Sequence, residues 1–244
     1  MIRTSSLLWF VCVLPAATFG AEPDSPIGQT IESFTLDDFR GKAHSLDDFA
    51  DQRFVVVAFL GTECPLAKLY GPRLAALHKK YSPQKVAFVA INSNVQDSIT
   101  EMAAYARIHK IPFPLLKDAG NRVADQFHAT RTPEVFVLDA QRKVRYWGRI
   151  DDQYGVGYIR DQPSSNDLAR ALDELLADKP VTQPETTVVG CHIGRVQQPK
   201  ADAEVTYSNQ IARILQKRCV ECHREGDIAP VSYTHLTLPT ITSG

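Results

Sequence analysis

After its first twenty positions this chain of 244 residues has no apolar run long enough to cross a bilayer. Neither sign of charge dominates: 27 Lys and Arg stand against 28 Asp and Glu, a net charge of -1, which removes the electrostatic case for a nucleic-acid partner. Methionine is nearly absent, with Met1 and Met102 the two in the chain, so no thioether lies near the C-terminal cysteines. No internal repeat or low-complexity tract is present. The remainder, 44% hydrophobic and 23% charged, is ordinary globular composition, and the length suits one full domain with a smaller piece.

Arg3 precedes the apolar run Leu7 to Leu14, and Thr18 and Gly20 are small residues ahead of Ala21. Residues 1–20 therefore read as a signal peptide, and the mature chain is expected to be exported, periplasmic or extracellular, with no membrane span. Val11 is too large for a lipoprotein site at Cys12, so of the five cysteines the first leaves with the signal. Cys64, Cys191, Cys219 and Cys222 remain. An oxidising compartment favours structural disulfides for an even set, but this spacing, with one cysteine isolated far upstream, points elsewhere.

Phe34 to Phe49 reads as a short hairpin entering a helical turn, and Phe54 to Leu60 as a strand buried on both faces. From Pro65, the apolar positions Leu66, Leu69, Tyr70, Leu74, Leu77 and Tyr81 predict an amphipathic helix. Val86 to Ile91 is a second strand, and Ser98-Ile99-Thr100-Glu101 a capping box for a helix reaching His109. Their order predicts a parallel pair with a right-handed crossover. Phe113 to Leu116, a hairpin of Glu134 to Leu138 with Val144 to Arg149, and a closing helix through Leu168 and Leu176 follow. Pro180 and Pro184 mark the start of a linker, and a helix resumes at Ile211. Asp151 and Asp152 are expected on a solvated loop, and His44, His78, His109 and His128 at the surface.

Cys64 falls between a buried strand and a helix opened by Pro65. Unpaired N–H groups at a helix N-terminus favour the thiolate, which makes this cysteine a candidate nucleophile; the alternative is a small buried hydrophobe. Thr132-Pro133, just ahead of a strand, is expected to hold a cis bond that brings its backbone beside Cys64; otherwise Pro133 is a strand-edge proline. Cys191 is a candidate to resolve an oxidised Cys64, or else a loop cysteine or a weak metal contact with His192. Cys219-Val220-Glu221-Cys222-His223 places two thiols three positions apart with a histidine next to the second. Such thiols can each add to one haem vinyl group, with His223 as the iron ligand; a disulfide or zinc are the alternatives, zinc lacking a second ligand pair.

The motifs Gly61-Thr62-Glu63-Cys64-Pro65-Leu66-Ala67, Ile91-Asn92-Ser93-Asn94, Phe113 to Asp118, Arg131-Thr132-Pro133-Glu134-Val135-Phe136 and Arg149 to Gln153 resemble the exported redoxin branch of the alkyl hydroperoxide reductase and thiol-specific antioxidant superfamily. The resemblance, from about Ile27 to Arg195, implies an α/β thioredoxin-like fold, a central mixed sheet flanked by helices, with thiol redox chemistry. Three positions depart from the pattern: Ala67 stands where a thioredoxin has its second cysteine, and Gly61 and Val57 where a peroxiredoxin has Thr or Ser and Pro. Tyr207 and the segment from Ile211 to Pro230 resemble the helical start of a cytochrome c domain, which implies covalent haem c iron held by Cys219, Cys222 and His223. From Val231 the sequence leaves that pattern and resembles translated adapter sequence behind a truncated frame.

The expected domains are therefore a redoxin over residues 24–178, a linker carrying Cys191 over 179–204, and an incomplete cytochrome segment over 205–244, with 231–244 artefactual. The expected function is a thiol-disulfide or peroxide oxidoreductase using Cys64, Thr132, Pro133 and Cys191, coupled to haem electron transfer. Its partner would be a redox protein or a small thiol or peroxide. The competing readings are a non-catalytic redoxin module within a larger haem protein, favoured by Ala67, and a peroxidase built on Cys64 and Cys191 alone.

Overall fold

The computed structural model describes residues 25–155, 157–197, 202, 204–220 and 223. The signal segment, Cys222 and residues 231–244 lie outside the described residues. The chain divides into two units at Val196/Gln197.

In the first unit β1 (Thr35–Asp37) and β2 (Ala43–Ser45) form the expected hairpin and run into a 3-10 turn, Leu46–Phe49, closed by a capping box from Ser45 to Asp48. Then come β3 (Phe54–Phe59), α1 (Pro65–Tyr81), β4 (Val86–Asn92), α2 (Ile99–Ile108), β5 (Leu115–Lys117) and α3 (Arg122–Gln126). They are followed by β6 (Arg131–Thr132), β7 (Glu134–Leu138), β8 (Val144–Gly148), β9 (Tyr154–Gly155), β10 (Tyr158–Ile159), α4 (Asp167–Leu176) and β11 (Cys191–His192). The main sheet has the order β5-β4-β3-β7-β8. β3 pairs in parallel with β4 and antiparallel with β7, and the β7–β8 hairpin completes a mixed sheet.

All six residues of β3 are buried because both sheet faces are covered. Phe54, Val56, Ala58 and Leu60 enter the core shared with Leu74, Tyr81, Leu168 and Leu172, whereas Val55, Val57 and Phe59 enter the one holding Leu46, Phe127 and Phe136. That alternation fixes the register, since a slip of one residue would exchange the two faces. β3 must therefore end at the same height each time, and that end delivers Cys64.

The structure refines several expectations. α1 buries Ala67, Tyr70, Gly71, Leu74 and Tyr81, while Leu69 is 45% exposed. Gly71 joins the buried stripe because a Cβ there would stand 3.0 Å from Tyr105 Oη and His109 Cβ. β5 begins two residues later than expected: Pro114 has no N–H to give, although its carbonyl accepts from Ala90 N at 2.8 Å. α3 carries no capping signal at its own start; Asp118 Oδ2, upstream, accepts from Ala124 N at 3.0 Å. Asp151 is 2% exposed rather than solvated, accepting from Tyr70 Oη at 2.7 Å and pairing with Arg73. His78 and His109 are half-buried against rings, and His44 against Asp38.

The largest departure concerns residues 179–196, which belong to the first unit instead of forming a linker. Trp147 N donates to Pro184 O and Thr186 N to Trp147 O, at 2.8 and 3.1 Å, so the segment lies along β8. Prolines without a capping or periodic signal gave no sequence cue for this docking.

In the second unit Thr206 Oγ1 accepts from Asn209 N at 3.2 Å and opens a π turn, Tyr207–Ile211, that continues into α5 (Ala212–Arg218). Among the described residues, no helix is long and apolar enough to cross a membrane.

Gly148, at φ +151°, admits the docked segment: a Cβ there would stand 2.0 Å from Thr186 Oγ1 and 2.7 Å from Thr186 O. Gly148→Ala should lower stability by about 1–3 kcal/mol in urea denaturation and speed hydrogen exchange at the Thr186 amide. Unchanged exchange there would show that the contact does not hold the segment.

Candidate functional site: two thiols at the end of the central strand

β3 ends at Phe59, and Leu60 to Glu63 carry the chain to Cys64, which caps α1 with extended backbone (φ -68°, ψ 119°) and Pro65 in the first turn. Only 3% of Cys64 is exposed, and its Sγ donates to the Thr132 carbonyl at 2.9 Å. The Thr132–Pro133 bond is cis. Burial by itself would raise the thiol pKa. The Thr132 hydroxyl, the Ala67 and Cys191 backbone N–H groups and the Cys191 thiol favour the charged sulfur, which outweighs burial and holds Cys64 below its ordinary value.

Cys191 reaches this site through β11, which pairs antiparallel with β6, Cys191 opposite Thr132 and His192 opposite Arg131. Cys191 is itself exposed, and its thiol is pushed up to about 11 by partial burial, by the neighbouring Cys64 side chain and by the Cys64 charge. The two thiols thus titrate as a pair, one favouring the thiolate and the other keeping its proton. Ala67, in the position of a second motif cysteine, is fully buried beneath them.

A polar hub fixes both cysteine segments to the end of β4. Asp97 Oδ2 accepts from Thr62 N at 2.8 Å, Asn92 Nδ2 at 2.6 Å and Asn94 Nδ2 at 3.1 Å. Asn94 Oδ1 accepts from Gly194 N at 2.9 Å, and Val95 N donates to Gly194 O at 3.1 Å. Lys117 Nζ closes the hub on Asn92 Oδ1, Asn94 O and Asp97 O at 3.0, 2.6 and 2.7 Å; burial lowers its pKa against the pull of Asp97, Asp118 and Glu101. On the other side, buried Glu134 accepts from Thr130 N and Arg131 N, both at 2.8 Å, and from Trp147 Nε1 at 2.6 Å, which holds β6 in place. Burial raises the Glu134 pKa despite these bonds.

The hub also explains Gly61. A Cβ there would lie 2.4 Å from Asn94 Nδ2 and 3.0 Å from Thr132 Oγ1. Asn94 is bonded at both ends of its amide and cannot swing away, so the threonine or serine of the peroxiredoxin pattern has no room.

Cys64, Thr132, Pro133 and Cys191 therefore meet at one place. Asp97 had no sequence signal as a site residue, and Asn94, Lys117 and Glu134 stood out only as parts of family motifs. Cys219 and His223 belong to the second unit. Cys219 follows α5, and His223 N donates to Cys219 O at 2.9 Å. Among the described residues no cluster of three or more metal-ligating side chains is present.

Residues 27–147 match the AhpC/TSA family. A hypothetical protein of Sinorhizobium meliloti 1021, of known structure, is 31% identical with a TM-score of 0.65, over 70% of this chain and 96% of that one. The thiol-disulfide oxidoreductase ResA of Bacillus subtilis (strain 168) is 29% identical over 147 residues, 59% of this chain and 80% of the relative. A chloroplastic peroxiredoxin Q of Populus jackii is 29% identical over 125 residues, 48% of this chain and 57% of the relative. With its mixed sheet, its cysteine at the strand-to-helix turn and its cis-proline loop, the first unit belongs to the AhpC/TSA redoxin family on a thioredoxin-like fold.

Proposed function

We propose that this protein is a thiol oxidoreductase in which Cys64 attacks and Cys191 resolves. The observation that carries this reading is the convergence of two unlike thiols on one residue: β11 fixes Cys191 opposite Thr132, whose carbonyl accepts from Cys64 Sγ, with Cys64 held low and Cys191 held high. The relatives named thiol-disulfide oxidoreductase and peroxiredoxin support it.

With a peroxide, the Cys64 thiolate takes the terminal oxygen. The O–O bond breaks, the rest of the peroxide leaves as an alcohol or water after protonation, and Cys64 becomes a sulfenic acid. Cys191 then forms the S–S bond as its proton leaves with the sulfenic hydroxyl as water. With a disulfide, Cys64 displaces one thiol and Cys191 displaces the second. Either route moves two electrons out of the pair. Ala67 is no obstacle, because the second sulfur arrives on β11 rather than from α1.

The second part of the proposal is electron transfer through haem c, with Cys219 and Cys222 as thioether positions and His223 as iron ligand, in an exported protein. The hydrogen bond from His223 N to Cys219 O keeps the histidine close to the first thioether position, and Tyr207, Ile211 and Ile214 are exposed apolar residues of the kind a haem face covers. Bound haem would supply one-electron chemistry. The export reading rests on residues 1–20.

At neutral pH Cys64 should alkylate faster than Cys191, and its rate-pH midpoint should fall below the ordinary thiol value of 9.0 while that of Cys191 lies above it. Lowering the pH through the Cys64 midpoint should reprotonate the thiolate and abolish the difference. One equivalent of peroxide should then yield a Cys64–Cys191 disulfide by mass spectrometry. Equal, slow alkylation with no disulfide would leave a non-catalytic redoxin module. For the haem reading, expression with a haem-attachment system should give haem that survives acid-acetone extraction, and Cys222→Ala should weaken attachment. Zinc uptake with no haem would reject it.

A further inference from the structure

β11 does more than carry a thiol. It lies on the β6 edge as an extended strand whose cysteine faces Thr132, with Ile193 N donating to Thr130 O at 2.9 Å and Arg131 Nη1 to Gly190 O at 2.8 Å. This placement sets a strand cysteine opposite Thr132, the residue whose carbonyl accepts from Cys64 Sγ. The contacts on either side of Cys191 set demands on such a strand. A Cβ at Gly190 would stand 2.1 Å from the Thr132 carbonyl oxygen, so the residue before the cysteine must be glycine. Two positions after it, Ile193 is 5% exposed in the core with Phe127 and Phe136. His192, between them, is exposed and unconstrained.

We propose that the β6 edge is a docking surface for an extended Gly-Cys-x-apolar segment, and that residues 190–194 are its resident occupant. The segment acts as a built-in pseudosubstrate: small oxidants reach Cys64 with the strand in place, whereas a partner's disulfide-bearing strand reaches it only after β11 leaves. This rests on the thiolate reading of Cys64. Tethering gives the resident strand an effective concentration in the millimolar range, far above that of a partner at micromolar concentration, so the edge is occupied by default. The reaction with an incoming strand is ordinary exchange: the Cys64 thiolate bonds to the peptide sulfur and the group disulfide-bonded to that sulfur leaves as a thiolate.

The test uses the full chain carrying Cys191→Ser, which keeps the strand but stops resolution, so that adducts accumulate on Cys64 and are counted by mass spectrometry. One probe is a synthetic peptide with the sequence of residues 188–195, its cysteine activated as a thionitrobenzoate disulfide. The other is the small reagent dithionitrobenzoate. Gly190→Val forces the strand off the edge, and Arg131→Ala loosens it without adding bulk. Both changes should raise the peptide rate about tenfold relative to the small-reagent rate, as expected when a tethered competitor is removed. In these loosened proteins a peptide with valine before its cysteine should react more slowly than the glycine peptide. An unchanged peptide-to-reagent ratio in both variants, or equal rates for the glycine and valine peptides, would overturn the docking proposal. Inertness of Cys64 to both probes in every protein would overturn the thiolate reading, and this proposal with it.

Discussion

The amide of Asn94 holds the two cysteine segments together. Through Nδ2 it reaches Asp97, whose carboxylate grips the backbone of Thr62 two residues before Cys64; through Oδ1 it takes the N–H of Gly194, three residues after Cys191. Both cysteines are thus referred to one point at the end of β4. A buried carboxylate and a half-buried ammonium are costly unless they are partnered. Asn92, Asn94 and the Thr62 N–H supply partners to Asp97 Oδ2 and Lys117 is held by three oxygens, whereas Asp97 Oδ1 and Thr62 Oγ1 find none. Gly61 follows from the same constraint.

The thiol chemistry is a consequence of this placement. The N–H groups of Ala67 at the helix N-terminus and of Cys191 on β11, with the Thr132 hydroxyl, favour the charged form of the sulfur even though it is buried. Cys191 sits at the rim and pays the electrostatic cost of a neighbouring negative charge, which keeps its own proton in place. A motif with one cysteine can therefore support two-thiol chemistry, because a short strand from beyond α4 supplies what α1 lacks at Ala67.

Much of this was legible in the sequence. The valine-rich run of β3, the capping box of α2 and the Pro65 start of α1 follow local rules, and together they put Cys64 at its turn. The partnership with Cys191 was readable only as a possibility, because β11 is two residues long and is defined by its pairing with β6 rather than by any periodicity of its own. Residues 179–196 carry prolines and polar residues that read as a linker; their docking depends on a missing side chain at Gly148 and another at Gly190, contacts that no local pattern announces. Asp97 was invisible as a site residue, and Glu134 visible only as part of a family motif, for a related reason. Their importance lies in being buried next to backbone N–H groups, and burial of a lone carboxylate is a property of the fold.

The central claim is that the hub holds Cys64 and Cys191 in bonding register. The most direct measurement is the equilibrium of their disulfide against glutathione, in the natural chain and in Asn94→Ala, with folding checked by circular dichroism. If the amide holds the pair together, its loss should lower the effective concentration of Cys191 at Cys64, so that about tenfold less glutathione reduces the disulfide. The same glutathione midpoint in both folded proteins would contradict the account.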